Sequence, residues 1–217
     1  MNSRLVKNKA YLDDAENTRK AIEAEFNAGI EILSKIDKPL VTFLGSHITP
    51  PESEYYQHAY DLAYKLGEEG FGVLTGGGPG IMAAANEGAR DAGAPSLGFK
   101  AGLIKNESVE NTVFSDKFSF NFLFTRRFFL AIKSEAIIVY PGAFGTLNEL
   151  FEYLTLIQTD LVDKVPVVCV GKKYWQGLFD WLKSSPLEEG YFSEGEVDMR
   201  LMSFADSEDE ILNLIKG

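Results

Sequence analysis

The chain has 217 residues, 45% of them hydrophobic, which is enough for one sizeable core, and no Ser/Pro/Gly-rich linker divides it. Its 32 acidic residues outnumber the 21 basic ones, the formal charge is −11, and no Lys/Arg-rich run occurs, so no nucleic-acid partner is expected. A single cysteine, Cys169, allows no internal disulfide, and neither a signal-peptide core nor a bilayer-length apolar run occurs, so we expect a cytoplasmic protein without a membrane partner.

An amphipathic helix is predicted near the N-terminus. Apolar residues within segment 8–36 recur at steps of three and four, the spacing of one helix face: Ile22, Phe26, Ile30, Leu33 and Ile36. We expect this helical extension, at about residues 1–38, to pack on a sheet or on a second subunit rather than to act in catalysis.

Short apolar runs that stop at glycine predict strands buried on both faces. In chain order they are PLVTFLGS (39–46), FGVLTGGG (71–78), APSLGF (94–99), AIIVYPG (136–142) and VPVVCVG (165–171). Segments with helical spacing fall at 52–69, 80–92, 119–133, 145–160 and 173–184, and a further edge strand and a closing helix are predicted at 200–205 and 207–216. This alternation predicts a single α/β domain over residues 1–217, with a Rossmann-like, mainly parallel sheet flanked by helices on both faces.

Three strand ends are the candidate ligand-binding segments, because ligands of open parallel sheets lie beyond the carboxyl ends of the strands. The first, FLGSH (43–47), contributes Gly45 and Ser46. The second, TGGGPGIM (75–82), contributes Gly77, Gly78, Gly80 and Met82. The third, VYPGAFGTLNE (139–149), contributes Gly142, Ala143, Phe144, Gly145 and Thr146.

The glycines of the second and third segments predict a phosphate site. Glycine lets backbone N–H groups approach an anion closely, and the helix that follows directs its positive dipole end at the same place. The alternative is that the glycines only make tight strand-to-helix turns.

The absence of several known motifs reduces the number of ligand and reaction classes to consider. No G-x-x-x-x-G-K-[ST] sequence occurs, and the dinucleotide fingerprint fails because Ile81 stands in place of its third glycine. His47 and His58 are too few and too scattered for a metal cluster, so they are interpreted as structural or surface residues and no metal site is expected. No G-x-S-x-G elbow is present, which excludes serine-hydrolase chemistry.

Charged side chains occur on both sides of the strand at 136–140. Arg126 and Arg127 lie in the aromatic segment NFLFTRRFFLAIKSE, where a charge requires a partner: either a structural carboxylate or a bound anion. Glu149 follows Gly145 and Thr146 by one helical turn, so its carboxylate either faces the ligand or caps the helix.

Together GGGPGIM, the pair RR and PGAFGTLNE resemble the LONELY GUY (LOG) family, whose hallmark is P-G-G-x-G-T-x-x-E, and the likeness runs from about Val41 to Gly190. The resemblance implies cleavage of the N-glycosidic bond of nucleoside 5′-monophosphates, AMP or cytokinin ribotides, without a cofactor. It also implies a homodimer or larger homo-oligomer.

Site residues follow from the same resemblance. It implies Arg126 and Glu149 as the catalytic pair, and substrate contacts from Arg127, the stretch Ala143 to Glu149, and Thr155, with a less firmly aligned contact from Glu107. Ala143 replaces the second glycine of the hallmark, and Arg127 stands where lysine is usual. Alanine resists positive φ, so this replacement leaves the substrate fit open.

Physical chemistry gives Glu149 a role in that reaction, because breaking an N-glycosidic bond develops positive charge on the ribose that a carboxylate stabilises. Two other classes stay open. A molybdenum-cofactor carrier that looks related to this family would bind its ligand without turnover. A pyridoxal-phosphate decarboxylase, the family's older label, would need a Schiff-base lysine, for which Lys100, Lys105 and Lys133 are candidates without support from their spacing.

Overall fold

Seven parallel strands form one sheet in the part of the chain described by the computed structural model, which covers residues 6–102, 113–191 and 201–217. The strands are β1 Leu40–Leu44, β2 Gly72–Thr75, β3 Ser96–Ala101, β4 Asp116–Phe120, β5 Ser134–Val139, β6 Val167–Cys169 and β7 Ser203–Phe204. The helices are α1 Val6–Asp13, α2 Ala15–Ser34, α3 Glu54–Glu68, α4 Ile81–Asp91, α5 Leu123–Ala131, α6 Phe144–Gln158, α7 Lys172–Leu182 and α8 Glu208–Lys216.

The strand order, β4-β3-β2-β1-β5-β6-β7, places β1 at the centre, paired with β2 on one side and β5 on the other. The chain first builds outward from β1 to β4 and then returns to the opposite side of β1. The connections that leave β1 and β5 therefore diverge, which opens a crevice at their carboxyl ends. This arrangement confirms the predicted parallel α/β fold.

Helices cover both faces of the sheet, as predicted. On one face, α2, α5, α6 and α7 bury side chains that include Leu33, Phe129, Tyr153 and Phe179. On the other face, α3, α4 and α8 bury residues that include Leu62, Ala85 and Ile211. The strands between them are consequently apolar on both sides, which is why they read as uninterrupted hydrophobic runs. The assignment of all 217 residues to one domain stays a prediction.

One strand was missed. The segment predicted as a helix from residue 119 instead contains the end of β4, and α5 begins only at Leu123. Lys117 and Ser119 are exposed, whereas Phe118 is partly buried and Phe120 is buried, so the burial alternates with the period of a strand. The phenylalanines of this segment fit helical spacing equally well, which hid the shorter period.

The N-terminal helix prediction is confirmed in most positions. The helix is divided near Asp14 into α1 and α2; Leu33 is buried, and Phe26 and Ile36 pack against the core, but Ile30, also assigned to the apolar stripe, is exposed. The buried face of α2 also contains Glu25 and Gly29, which the apolar pattern did not include. The predicted edge strand and closing helix are confirmed as β7 and α8. No described helix combines the length and the apolar character needed to cross a bilayer.

Candidate functional site

Three loops meet at the carboxyl ends of β1 and β5. The Ser46 N–H donates to the Pro141 carbonyl at 3.0 Å, and the Ile81 N–H donates to the Ser46 carbonyl at 3.1 Å. These bonds tie the loop after β1 both to the loop after β5 and to the start of α4. A cavity of about 280 Å³ lies at this junction, near the small end of the usual range for ligand sites.

The cavity collects residues from several elements. Of the predicted site residues, it is lined by Gly45, Ser46, Met82, Arg126, Arg127, Ala143, Gly145, Thr146 and Glu149. Asn148, which belongs to the predicted stretch Ala143 to Glu149, also lines the cavity. Sequence reasoning missed other lining residues, namely Phe43, Leu44, His47, Ile48, Gly76 and Leu123. Gly76 lies inside the quoted segment TGGGPGIM and His47 inside FLGSH, so membership of those segments was the available signal.

Backbone conformation and close packing explain why the turn after β2 contains glycines. Gly77 and Gly80 both have φ +68, a conformation that favours glycine, and a Cβ on Gly80 would overlap the Ser46 carbonyl. The Gly77 N–H donates to the Thr75 hydroxyl at 2.9 Å. Gly77, Gly78 and Gly80 do not line the cavity, so their role in phosphate binding stays a prediction.

The turn after β5 accommodates alanine without strain. Ala143, the N-cap of α6, has φ −96, so the positive φ that would demand glycine is not used. Gly142 is required for another reason, because a Cβ there would overlap the Thr146 hydroxyl. The Tyr174 hydroxyl donates to the Gly142 carbonyl at 2.6 Å and holds the turn from the side of α7. Alanine at position 143 is therefore compatible with the backbone geometry of this turn.

Arg126 and Glu149 form a nearly buried ion pair in the cavity wall. The Arg126 Nη2 donates to Glu149 Oε1 at 2.9 Å, and each side chain is only 12% exposed. Burial raises the pKa of the Glu149 carboxyl above its ordinary value, although the neighbouring Arg126 charge acts in the opposite direction. The Arg126 Nε is buried without a protein partner among the residues that the structure describes. The pair thus combines a carboxylate that binds protons readily with a guanidinium that has spare donor capacity.

Arg127 has a carboxylate partner of its own. Its Nε donates to Glu152 Oε2, and the two side chains remain 20% and 29% exposed. This ion pair matches the structural alternative considered from the sequence. The guanidinium nevertheless lines the cavity, so the predicted substrate contact remains a prediction.

Several predicted site residues do not reach the cavity. Gly142 and Phe144 are not among its lining residues, and Phe144 is 90% exposed. Thr155 lies on the exposed side of α6, where its hydroxyl donates to the Phe151 carbonyl at 2.7 Å. Glu107 lies outside the described residues.

The candidate Schiff-base lysines are occupied elsewhere or not described. Lys100 places its ammonium 5.1 Å from the centre of the Phe114 ring and does not line the cavity. Lys133 donates to the carbonyls of Leu33 and Ile36 at the end of α2. Lys105 lies outside the described residues. The described lysines therefore give no support to a Schiff base in this cavity.

Comparisons with known proteins agree with the motifs. The family model described as "Possible lysine decarboxylase" matches residues 82–215. Cytokinin riboside 5′-monophosphate phosphoribohydrolase LOG3 of Arabidopsis thaliana is 26% identical over 143 residues, which is 65% of this chain and 66% of that protein. The Arabidopsis enzyme LOG1 is 26% identical over 165 residues, 76% of each chain.

Solved structures show the same fold. The molybdenum cofactor binding protein of Rippkaea orientalis superposes with a TM-score of 0.60 at 21% identity, covering 84% of this chain and 98% of that one. The molybdenum cofactor carrier protein of Chlamydomonas reinhardtii gives a TM-score of 0.59 at 19% identity, covering 82% and 96%. Because the family model covers well over half of the residues and its motifs border the cavity, the chain belongs to the LOG family, whose model is described as possible lysine decarboxylase.

Proposed function

We propose that the protein hydrolyses the N-glycosidic bond of nucleoside 5′-monophosphates to give the free base and ribose 5-phosphate. The observation that carries this proposal is the Arg126–Glu149 pair, nearly buried in a cavity at the switch point of the sheet. Membership of a family whose named relatives are phosphoribohydrolases supports the same reaction.

The 5′-phosphate is assigned to the start of α6. Ala143, Gly145 and Thr146 line the cavity there, and the unpaired N–H groups of the first helical turn, with the helix dipole, favour an anion. A phosphate held at this end leaves the ribose within reach of Glu149, which lies one helical turn further on. Binding energy from the unreactive phosphate would then position the sugar for reaction.

Hydrolysis can be written with Glu149 as the central group. As the bond between C1′ and the base nitrogen breaks, its electron pair leaves with the base and C1′ becomes cationic. The Glu149 carboxylate stabilises that cation and accepts a proton from the water whose oxygen bonds to C1′. The proton then passes to the departing base, which leaves the carboxylate ionised for the next turnover.

Arg126 has two parts in this scheme. Its bond to Glu149 Oε1 fixes the carboxylate in one orientation, and its positive charge favours the ionised form of Glu149. The buried Nε, which has no partner in the described part of the chain, is a further donor that a substrate oxygen could use.

A non-catalytic carrier is the alternative, because proteins of similar fold bind or carry the molybdenum cofactor. At 19% to 21% identity those structures show the fold alone. A carrier would bind its ligand and release no base, so the two hypotheses differ in a direct assay.

The test is a panel of nucleoside monophosphates, including AMP and a cytokinin ribotide, with release of ribose 5-phosphate as the readout. Adenosine serves as the substrate without phosphate and should react far more slowly than AMP. Glu149→Gln should bind AMP and lose on the order of 10²-fold or more in kcat. Glu135→Gln, an exposed carboxylate near the opposite end of β5, is the matched control and should be fully active.

Two results would contradict the proposal. A wild-type protein that binds nucleotides but releases no ribose 5-phosphate from any of them favours the carrier. A Glu149→Gln variant with near-normal kcat would remove Glu149 from the mechanism, even if the reaction itself is observed.

A further inference from the structure

A buried carboxylate from the N-terminal extension lies at the start of α5. Glu25, in the middle of α2, is 4% exposed. Its Oε1 accepts the Asn121 N–H at 2.6 Å, and its Oε2 accepts the Phe122 N–H at 3.4 Å and the Thr125 hydroxyl at 2.5 Å. Both carboxylate oxygens are therefore occupied by donors from the segment that opens α5.

These hydrogen bonds take the place of a side-chain N-cap for α5. Phe122, the N-cap residue of α5, supplies no side-chain hydrogen bond to the helix. The negative charge of Glu25 faces the positive dipole end of α5, and among the described residues it has no Lys or Arg partner within ion-pair distance. A helix of nine residues is marginal by itself, so its beginning depends on this carboxylate from about 100 residues earlier in the chain.

Two further contacts extend the interaction along α5. Gly29, one turn after Glu25, lets the Phe129 ring approach so closely that a Cβ on Gly29 would lie 2.6 Å from it. Beyond the end of α5, the Lys133 ammonium donates to the Leu33 carbonyl at 2.9 Å. Residues 25, 29 and 33 thus meet residues 125, 129 and 133, so the two helices run in the same direction with matched steps of four.

The arginines of the candidate site lie between these contacts. Arg126 and Arg127 follow Thr125 directly and reach across to Glu149 and Glu152 on α6. Any shift or rotation of α5 along α2 would carry both guanidinium groups with it. The position of Arg126 relative to Glu149 therefore depends on where α2 holds the start of α5.

We propose that Glu25 is a positioning residue for the reaction, which sets Arg126 against Glu149 through the N-terminus of α5. The kinetic consequences of this inference rest on the proposed function, but the contacts from which it is argued do not. Glu25 lies in α2, which precedes the segment 82–215 that the family model matches, so that match does not include this residue.

Glu25→Gln tests this role, because it keeps the shape and places an amide NH₂ opposite a donor. A displaced Arg126 should lower kcat per folded molecule by roughly 10-fold to 100-fold. The matched control is Glu23→Gln on the same helix, which is exposed and paired with Arg19, and its kinetics should equal those of wild type. A purely structural role for Glu25 would reduce the melting temperature without changing kcat per folded molecule.

A second readout does not need turnover. The Glu149 carboxyl can be followed by ¹³C NMR titration and assigned by its absence in Glu149→Gln. Because the Arg126 charge lowers the Glu149 pKa, Glu25→Gln should move the titration midpoint upward and Glu23→Gln should not. Among the described residues, the other charges that act on the Glu149 carboxyl are Arg127 on α5 and Glu152 on α6. His47 lies on the same cavity wall, and the control leaves all three in place.

Thr125 provides an independent pair of variants if Glu25→Gln folds poorly. Thr125→Val removes the donor to Glu25 and should reproduce the loss in kcat and the upward shift of the Glu149 titration midpoint. Thr125→Ser keeps the hydroxyl, so its kcat and its Glu149 midpoint should equal those of wild type. Unchanged kcat and an unchanged Glu149 midpoint in Glu25→Gln and Thr125→Val would overturn the inference. If wild type hydrolyses no nucleotide, the proposed function fails, but the titration still decides the role of Glu25.

Discussion

Gly80→Ala should destabilise the protein at the junction of the strand ends. Gly80 has φ +68 and ψ −132, a conformation that residues with a Cβ rarely adopt. The added Cβ would also overlap the Ser46 carbonyl, which accepts the Ile81 N–H. Backbone strain of about 1–3 kcal/mol and a weakened hydrogen bond of about 1 kcal/mol together predict a loss of roughly 2–4 kcal/mol in the free energy of unfolding.

Gly145→Ala is the matched control from the other glycine turn. Gly145 lies in the first turn of α6, does not have a positive φ, and has open space where an added Cβ would stand, with no described atom within 4 Å apart from its chain neighbours and the backbone of its own helix. Reduced freedom of the unfolded chain should stabilise this variant by about 0.5–1 kcal/mol. Urea denaturation of both variants, read from midpoints at constant m-value, measures the difference. A Gly80→Ala protein within about 0.5 kcal/mol of wild type would refute the packing argument.

Four further outcomes are expected. Ala143→Gly should leave kcat for AMP hydrolysis unchanged, because Ala143 already has an unstrained φ; a clear gain in kcat would show that the side chain hinders substrate. Burial raises the Glu149 pKa in the folded state, so wild type should lose stability relative to Glu149→Gln as pH rises from 4.5 through the raised pKa. A difference in the free energy of unfolding between the two proteins that does not change with pH would contradict this. Burial raises the pKa of Cys169 to about 12, so a thiol reagent at neutral pH should label it only on unfolding, and rapid labelling of the native protein would refute its burial. The half-exposed apolar side chains along α5 and at its C-cap, which include Phe124 and Ile132, lead us to expect a homodimer or larger assembly, and a monomer mass by light scattering at micromolar concentration would count against it.

The sequence predicted the sheet wherever burial on both faces leaves an uninterrupted apolar run. β4 escaped because it is an edge strand with one exposed face, and Lys117 and Ser119 interrupt its apolar pattern. The apolar pattern predicted Leu33 on the buried face of α2 but missed Glu25 and Gly29, because a glutamate and a glycine carry no hydrophobic signal.

The candidate site was predictable where its residues are close together in the chain. Gly145, Thr146 and Glu149 lie within one helical turn, so their common face follows from helix geometry. The family resemblance already paired Arg126 with Glu149, and the fold adds that the two side chains form an ion pair, whereas Arg127 pairs with Glu152. Glu25 carried no local signal at all, since its donors come from residues 121–125.

The central place of β1 has a consequence for how the protein is made. β1 acquires one neighbour from β2 soon after synthesis, but its other edge pairs with β5, which follows about 90 residues later. At ordinary translation rates this edge waits for roughly 5–20 s on the ribosome, and an unpaired strand edge is a template for aggregation. Glu149 and the start of α6 emerge later still, so the candidate site is incomplete while the central hydrophobic strand is half paired. We therefore expect a helper chaperone to matter most during elongation, between the synthesis of β2 and that of β5.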